Sequence, residues 1–179
     1  HGIDIDFWAP NPQMIRDNVC LSVVNDWPNR DWCCGFTLWQ RVIEGLPFKV
    51  VGDTPGLSLP ASSTKDLVNS YASSRIFLNT STISPVPTVL LEAMACGCAV
   101  VTTATCMIPE IVENGVNGFI SNDEKELKQY VVDLLNNEDL AKEIGENARK
   151  TVVEKFSQED FIKKWDSTFK KTAQKCFRG

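Results

Sequence analysis

Short uninterrupted runs of apolar residues recur along the first part of the chain, as VCLSVV (19–24), FKVVG (48–52), RIFLN (75–79) and CAVVTT (98–103). A strand with one wet face alternates apolar and polar residues, whereas continuous runs of this length suit strands covered on both faces. Between them, GFTLWQRVIEGL (35–46), STKDLVNSYASS (63–74) and PTVLLEAMAC (87–96) place apolar residues three and four apart, the spacing of an amphipathic helix. The alternation predicts an α/β fold with a doubly wound parallel sheet. After Gly118 the pattern turns helical and stays so, through DEKELKQYVVDLLNN, EDLAKEIGENARKTVVEKF and SQEDFIKKWDSTFKKTAQK. Ser157, with Asp160 three residues on, resembles a capping box at the start of the last helix. No repeat, low-complexity stretch or internal boundary breaks the pattern, so residues 1–179 read as a single domain.

Composition narrows the choice of partners. The chain is 43% hydrophobic, enough for one core, and its formal net charge of −5 argues against nucleic acid as a partner. No apolar stretch approaches the roughly 18 residues of a membrane span and no signal peptide opens the sequence, so a soluble, cytoplasmic domain is expected. The seven cysteines are an odd count with no C-x-x-C pair, as expected of free thiols in a reducing compartment. His1 is the only histidine, and no metal site is expected. Because the chain opens on His1 rather than methionine, further residues upstream are expected.

Candidate chemistry gathers after the run at 75–79. In parallel sheets, ligands bind where strand ends meet helix starts, because unpaired helical N–H groups and the macrodipole favour an anion there. Residues 80–88, TSTISPVPT, supply hydroxyls and proline-fixed dihedrals. They lead to a helix start whose Thr88, Val89 and Leu90 N–H groups are expected to be free for a diphosphate. Glu92 falls on the second turn of that helix, where a carboxylate suits the two hydroxyls of a ribose beside the phosphates. A solvated or backbone-tied glutamate is the alternative.

The runs LLEAMACGCAVVTT, IPEIVENGVNGFI and NARKTVVEKFSQEDFIKKW resemble the nucleotide-sugar-binding half of retaining glycosyltransferases of family 4, which have the GT-B fold. HGIDIDFWAP resembles the segment leading into that half, and VVGDTPG the strand and glycine turn within it. The resemblance implies a Rossmann-like C-terminal domain that binds a nucleotide-diphosphate sugar, with the N-terminal acceptor-binding domain absent from this chain. It also implies that the helix start at Thr88 binds the diphosphate, with Thr82 among the hydroxyls near it, and that Glu92 takes the ribose hydroxyls. No metal cofactor is implied.

Three stretches depart from the family pattern. Two glutamates with seven residues between them are usual; here Glu92 matches the second and Ser84 stands at the first, so catalysis falls to a hydroxyl and one carboxylate. An arginine and then a lysine before a glycine usually offset donor charge. Here Arg30 is the only cation in NDWPNRDWCCG, and Cys34 precedes Gly35. Arg30 as a phosphate ligand competes with Arg30 paired to Asp26 or Asp31. The passage 52–71 is shortened, and Leu57, Ser58 and Leu59 either touch a base or form a plain crossing loop. Loss of the carboxylate and the lysine leaves two further readings open, a non-catalytic nucleotide-sugar-binding module and a sugar-nucleotide epimerase of the same fold.

The aromatic residues divide in the same way. Trp39 reads as core, while Trp27 and Trp32 read as core or as ligand and interface contacts. Glu110, after Pro109, reads as a structural acid at a helix start. Phe161, Trp165 and Phe169 form a helical stripe with Lys163, Lys164, Lys170, Lys171, Lys175 and Arg178 around it. Such a helix fits peripheral association with an anionic membrane. Packing of the stripe against this domain or the absent one is the preferred expectation.

Overall fold

A computed structural model describes residues 1–176, with side chains to residue 173. Five strands form one parallel sheet: β1 (Asp17–Val23), β2 (Phe48–Val51), β3 (Ser74–Asn79), β4 (Ala99–Thr102) and β5 (Phe119–Ile120), in the order β2-β1-β3-β4-β5. The four apolar runs became β1 to β4. β5, only two residues long and half-buried, is too short for any periodicity to announce it. The helices are α1 (Asp31–Cys34), α2 (Phe36–Ile43), α3 (Thr64–Ser73), α4 (Thr88–Ala95), α5 (Glu124–Asn136), α6 (Glu138–Phe156) and α7 (Gln158–Cys176).

Period-2 geometry explains why the central strands lack polar positions: successive side chains enter two different cores. In β3, Phe77 points into a cluster with Tyr71 of α3, Leu90, Leu91 and Met94 of α4, and Ala148 and Val152 of α6. Its neighbours Ile76 and Leu78 enter the opposite cluster with Trp39 and Val42 of α2 and Leu127, Val131 and Leu134 of α5. β4 repeats the division, Val100 joining the first cluster and Ala99 and Val101 the second.

Helix starts follow their caps. Ser63 Oγ accepts from Asp66 N at α3, Asp123 from Lys125 and Glu126 N at α5, and Asn137 from Leu140 N at α6. Ser157 Oγ accepts from Asp160 N at 3.3 Å, as the capping-box spacing predicts. At the far end of α4, Arg16 Nη2 donates to Cys96 O at 2.6 Å and Arg149 Nη1 donates to Ala95 O. Two guanidinium groups thus satisfy the last carbonyls of α4 and complement its dipole. α6 crosses this end closely enough that a Cβ on Gly145 would meet Gly97 O at 2.3 Å.

The structure decides one alternative left open for the aromatics and narrows another. Trp27 is core: its ring is 1% exposed, its Nε1 donates to Cys34 O at 2.9 Å, and it packs against Trp39. The polar letters around it belong to a short helical turn at 28–30 that folds over the indole. The α7 stripe is largely uncovered, although Phe161 lies against Gly2. Phe161, Ile162, Trp165 and Phe169 are 38, 56, 47 and 64% exposed, and among the described residues the rings of Phe161, Trp165 and Phe169 meet other rings along their own helix. The side chain of Lys175 and all of Arg178 lie outside the described residues, as does the thiol of Cys176. Among the described residues no helix is long and apolar enough to cross a membrane.

Gly145→Ala tests the α4–α6 crossing. In an exposed helix the change gains about 1 kcal/mol of propensity, but here the methyl meets backbone that cannot yield, so a net loss of about 1–3 kcal/mol is expected. Urea unfolding measures it, and a neutral or stabilised variant contradicts this packing.

Candidate functional site

The strand order reverses between β1 and β3, the usual position of a ligand crevice in an open α/β sheet. A cleft of about 360 Å³ lies there. Val23 and Val24 at the end of β1, Asn79 and Ser81 at the end of β3, Arg30 and Cys34 from α1 and the turn before it, and Ser84, Thr88 and Val89 from the loop into α4 are among its lining residues.

The N-terminus of α4 forms one wall. Pro87 occupies the cap position and offers no side-chain acceptor. Leu90 N donates to Pro87 O at 3.1 Å, so of the three N–H groups expected to be free this one is already used, and the Leu90 side chain is fully buried. The N–H groups of Thr88 and Val89 have no protein acceptor among the described residues. Two aligned donors at the positive end of a helix dipole therefore border the cleft.

Arg30 lines the same cleft. Asp26 accepts from Asn29 Nδ2 at 2.7 Å, and Asp31 accepts from the Thr37 N–H and hydroxyl at 2.7 and 2.6 Å. Neither carboxylate pairs with Arg30, whose Nη1 reaches only Asn25 O at 3.5 Å. Thr82, in contrast, is turned away. Its hydroxyl donates to Trp32 O at 3.0 Å and its N–H to Cys33 O at 2.9 Å, so it anchors the loop to α1 rather than lining the cleft.

Glu92 sits one turn deeper in α4, behind the lining residues. Tyr71 OH donates to Glu92 Oε2 at 3.1 Å, and no other described hydrogen bond engages that carboxylate. Burial raises the Glu92 carboxyl above the ordinary carboxylate range, and the Tyr71 bond pulls it partly back. The Tyr71 hydroxyl is pushed well up by its own burial and by the nearby carboxylate, so it stays a donor.

Asn79 was not singled out by the sequence, and Ser81 entered only as one hydroxyl of the stretch 80–88. Asn79 Nδ2 donates to Thr102 Oγ1 at 2.8 Å and its Oδ1 accepts from Ser81 Oγ at 2.8 Å, tying the ends of β3 and β4 together beneath the cleft. A polar pair straight after an apolar run was the available signal. Tyr71 gave none, because a lone tyrosine in an amphipathic helix reads as core. The passage 52–59 is a crossing loop closed by a Thr54–Ser58 bridge, with Ser58 Oγ on Gly52 O and Leu59 82% exposed. Glu110 closes a short turn at 108–110 and lies outside the cleft.

Comparison with known proteins bears on the family and the fold. A family model described as glycosyl transferases group 1 matches residues 58–151. Over 83 residues the chain is 34% identical to N-acetyl-alpha-D-glucosaminyl L-malate synthase of Bacillus anthracis, covering 45% of this chain and 22% of that protein. An 84-residue match, 33% identical to an uncharacterized glycosyltransferase of Methanocaldococcus jannaschii, covers 46% of this chain and 21% of that one. The chain thus spans about a fifth of the length of these relatives. Among solved structures, the C-terminal domain of a glycosyl transferase group 1 family protein from Francisella tularensis superposes with a TM-score of 0.71 at 15% identity, covering 87% of this chain and 99% of that one. Anabaena HepE in complex with UDP superposes with a TM-score of 0.81 at 20% identity, covering 95% and 56%. The fold is that of the C-terminal, Rossmann-like half of the GT-B architecture.

The raised Glu92 carboxyl makes a pH prediction. The native state holds this proton more tightly than the unfolded chain, whose carboxyl titrates near about 4.3. Stability supplied by the protonated form is therefore present below that value, declines as pH rises through the window up to the native value, and is flat above it. Glu92→Gln, which keeps an acceptor for Tyr71, is expected to flatten this decline and to be at least as stable as the parent at neutral pH. Urea unfolding across pH 4–8 checks this, and a less stable variant at neutral pH contradicts it.

Proposed function

We propose that this chain, which belongs to the glycosyl transferases group 1 family, binds the nucleotide-diphosphate sugar donor of a retaining glycosyltransferase in the cleft between β1, β3 and the start of α4. One observation carries the reading: among the described residues, the N–H groups of Thr88 and Val89 border the cleft without protein acceptors, and the arginine that shares the cleft lining pairs with no carboxylate. Donors of this kind suit an oxyanion that gains charge as a bond breaks.

In the proposed reaction the bond between the sugar's anomeric carbon and the diphosphate breaks. The departing phosphate oxygen takes the electron pair against these N–H groups and Arg30, and the acceptor's hydroxyl oxygen forms the new glycosidic bond on the same face of the sugar as its O–H bond breaks and its proton passes to the departing phosphate oxygen. Ser84 offers the sugar a hydroxyl hydrogen bond without charge. Glu92, oriented by Tyr71, accepts from the ribose hydroxyls. The reading calls for no metal ion, because the protein's own donors meet the diphosphate charge. The acceptor, a saccharide or lipid-linked molecule, is presented by a further, acceptor-binding domain, and the domain alone binds donor with almost no turnover. The basic, aromatic α7 face is free to meet that domain or the inner surface of a membrane.

A second reading, a nucleotide-sugar-binding module without transfer, is favoured by two observations. Ser84 supplies no carboxylate at the sugar, and Cys34 supplies a neutral thiol on the cleft wall. Transfer or donor hydrolysis by the longer protein separates the two, because a binding module performs neither.

Calorimetry tests what both share. UDP is the first ligand to try, since HepE was solved with UDP and with UDP-glucose; guanosine and adenosine diphosphates follow. Arg30→Ala and Glu92→Ala are each expected to weaken the tightest of these about tenfold, the low end for a hydrogen bond to a charged group because Arg30 is exposed. If no nucleotide binds at millimolar concentration, both readings fail.

A further inference from the structure

Cys33 and Cys34 are adjacent in α1, and their sulfurs lie 3.6 Å apart. Their backbone is held from several sides. Cys33 O accepts from Thr82 N and Ile83 N, and Cys34 O accepts from Trp27 Nε1 at 2.9 Å and Thr80 Oγ1 at 3.2 Å. Cys33 Sγ also lies 3.5 Å from Arg30 O. Cys34 lines the cleft, and Cys33 stands behind it against the core. The pair is therefore positioned before anything binds, so little ordering is left to oppose capture of a ligand.

The separation selects the kind of ligand. Two thiolate sulfurs sharing one soft centre through bonds of about 2.3 Å lie about 3.3–3.8 Å apart at angles of roughly 90–110°. The 3.6 Å observed here falls in that interval. A disulfide fits less well, because adjacent residues have Cα atoms about 3.8 Å apart and disulfides usually need about 4.4–6.8 Å. Zinc fits less well for a different reason: it wants four ligands, and among the described residues no group of three or more His, Cys, Asp or Glu side chains is placed to supply them. A trivalent arsenic bearing one organic group needs only two thiols to complete its coordination.

We propose that Cys33 and Cys34 form a vicinal dithiol site for monosubstituted trivalent arsenicals on the wall of the cleft, and that its occupation closes the cleft to nucleotide. With an arsine oxide, two S–H bonds and the arsenic–oxygen bond break and two sulfur–arsenic bonds form. Both thiol protons leave with the oxide oxygen as one water, and arsenic stays trivalent. Burial raises the Cys34 thiol to about 11, with the neighbouring Cys33 adding to the rise and Arg30 opposing it. Monothiol alkylating agents, which need thiolate, are therefore slow at this site, while the condensation carries its protons away as water. The site itself stands apart from the nucleotide reading; the closure of the cleft rests on it.

Phenylarsine oxide at equimolar concentration, followed by intact mass spectrometry and peptide mapping of the 179-residue chain, tests the site. One adduct is expected, heavier by the reagent less one water, on the peptide holding Cys33 and Cys34. A small dithiol should release it and an excess of monothiol should not. Cys33→Ser and Cys34→Ser should each lose the adduct, and Cys106→Ser should keep it. No adduct, an adduct mapped to another peptide, or one that survives either of the first two substitutions overturns the proposal. Mapping of the parent chain gives this answer even if a serine variant folds poorly. UDP titrated into modified protein should bind at least about tenfold more weakly; unchanged affinity overturns the closure. Should the adduct form while unmodified protein binds no UDP, the nucleotide reading fails and the dithiol site stands.

Discussion

Every α-helix begins with N–H groups that have no partner within it, and a buried or half-buried donor left alone costs free energy. Most helix starts in this chain meet that constraint with a side chain: Ser63, Asp123, Asn137 and Ser157 each accept from the turn they precede. α4 does not. Its cap position is Pro87, its Thr88 and Val89 N–H groups are left open, and the surrounding structure holds that terminus against the cleft. Arg16 and Arg149 secure the opposite end, where Gly145 lets α6 approach the backbone of Gly97. The helix is thus fixed at its carbonyl end, and at its amide end two N–H groups have no protein acceptor among the described residues.

The remaining features of the site follow from this axis. β1 and β3 part at the switch point and open the crevice, and the Asn79–Ser81–Thr102 bonds keep the neighbouring strand ends together beneath it. Thr82 spends its hydroxyl on Trp32 O and so draws α1 toward the α4 loop, which brings Arg30 and Cys34 to the cleft wall. Glu92 lies further along the same helix. A carboxylate removed from most of the surrounding water and held by one tyrosine keeps its other oxygen available, and it pays for this with a raised affinity for protons.

The sheet and its helices were legible because each depends on a pattern several residues long. RIFLN and CAVVTT form strands buried on two faces, whereas FKVVG forms an edge strand with Phe48 and Lys49 exposed, and the helix-period segments between the runs go with parallel pairing. Features that depend on one or two side chains were not legible. Trp27 sits among polar letters yet is core, because a short helical turn folds over it, and no periodicity encodes that turn. Thr82 and Leu90 share a segment with Ser84 and Val89, but a hydroxyl bond in one case and a turn bond in the other use up their donors, and only three-dimensional placement decides this. The Tyr71–Glu92 bond joins two helices 21 residues apart, beyond any local signal. The spacing of Phe161, Trp165 and Phe169 marks one face of α7, but spacing alone does not say what covers it, and Trp165 and Phe169 are left exposed on this domain.

The central claim, that the amide end of α4 grips a diphosphate, is tested most directly by following backbone amide resonances during titration with UDP and, separately, with inorganic pyrophosphate. The account predicts that the Thr88 and Val89 amides shift most with both ligands and reach saturation together, while the Leu90 amide, already bonded to Pro87 O, moves little. Saturable binding of either ligand that leaves the Thr88 and Val89 amides unmoved would contradict it.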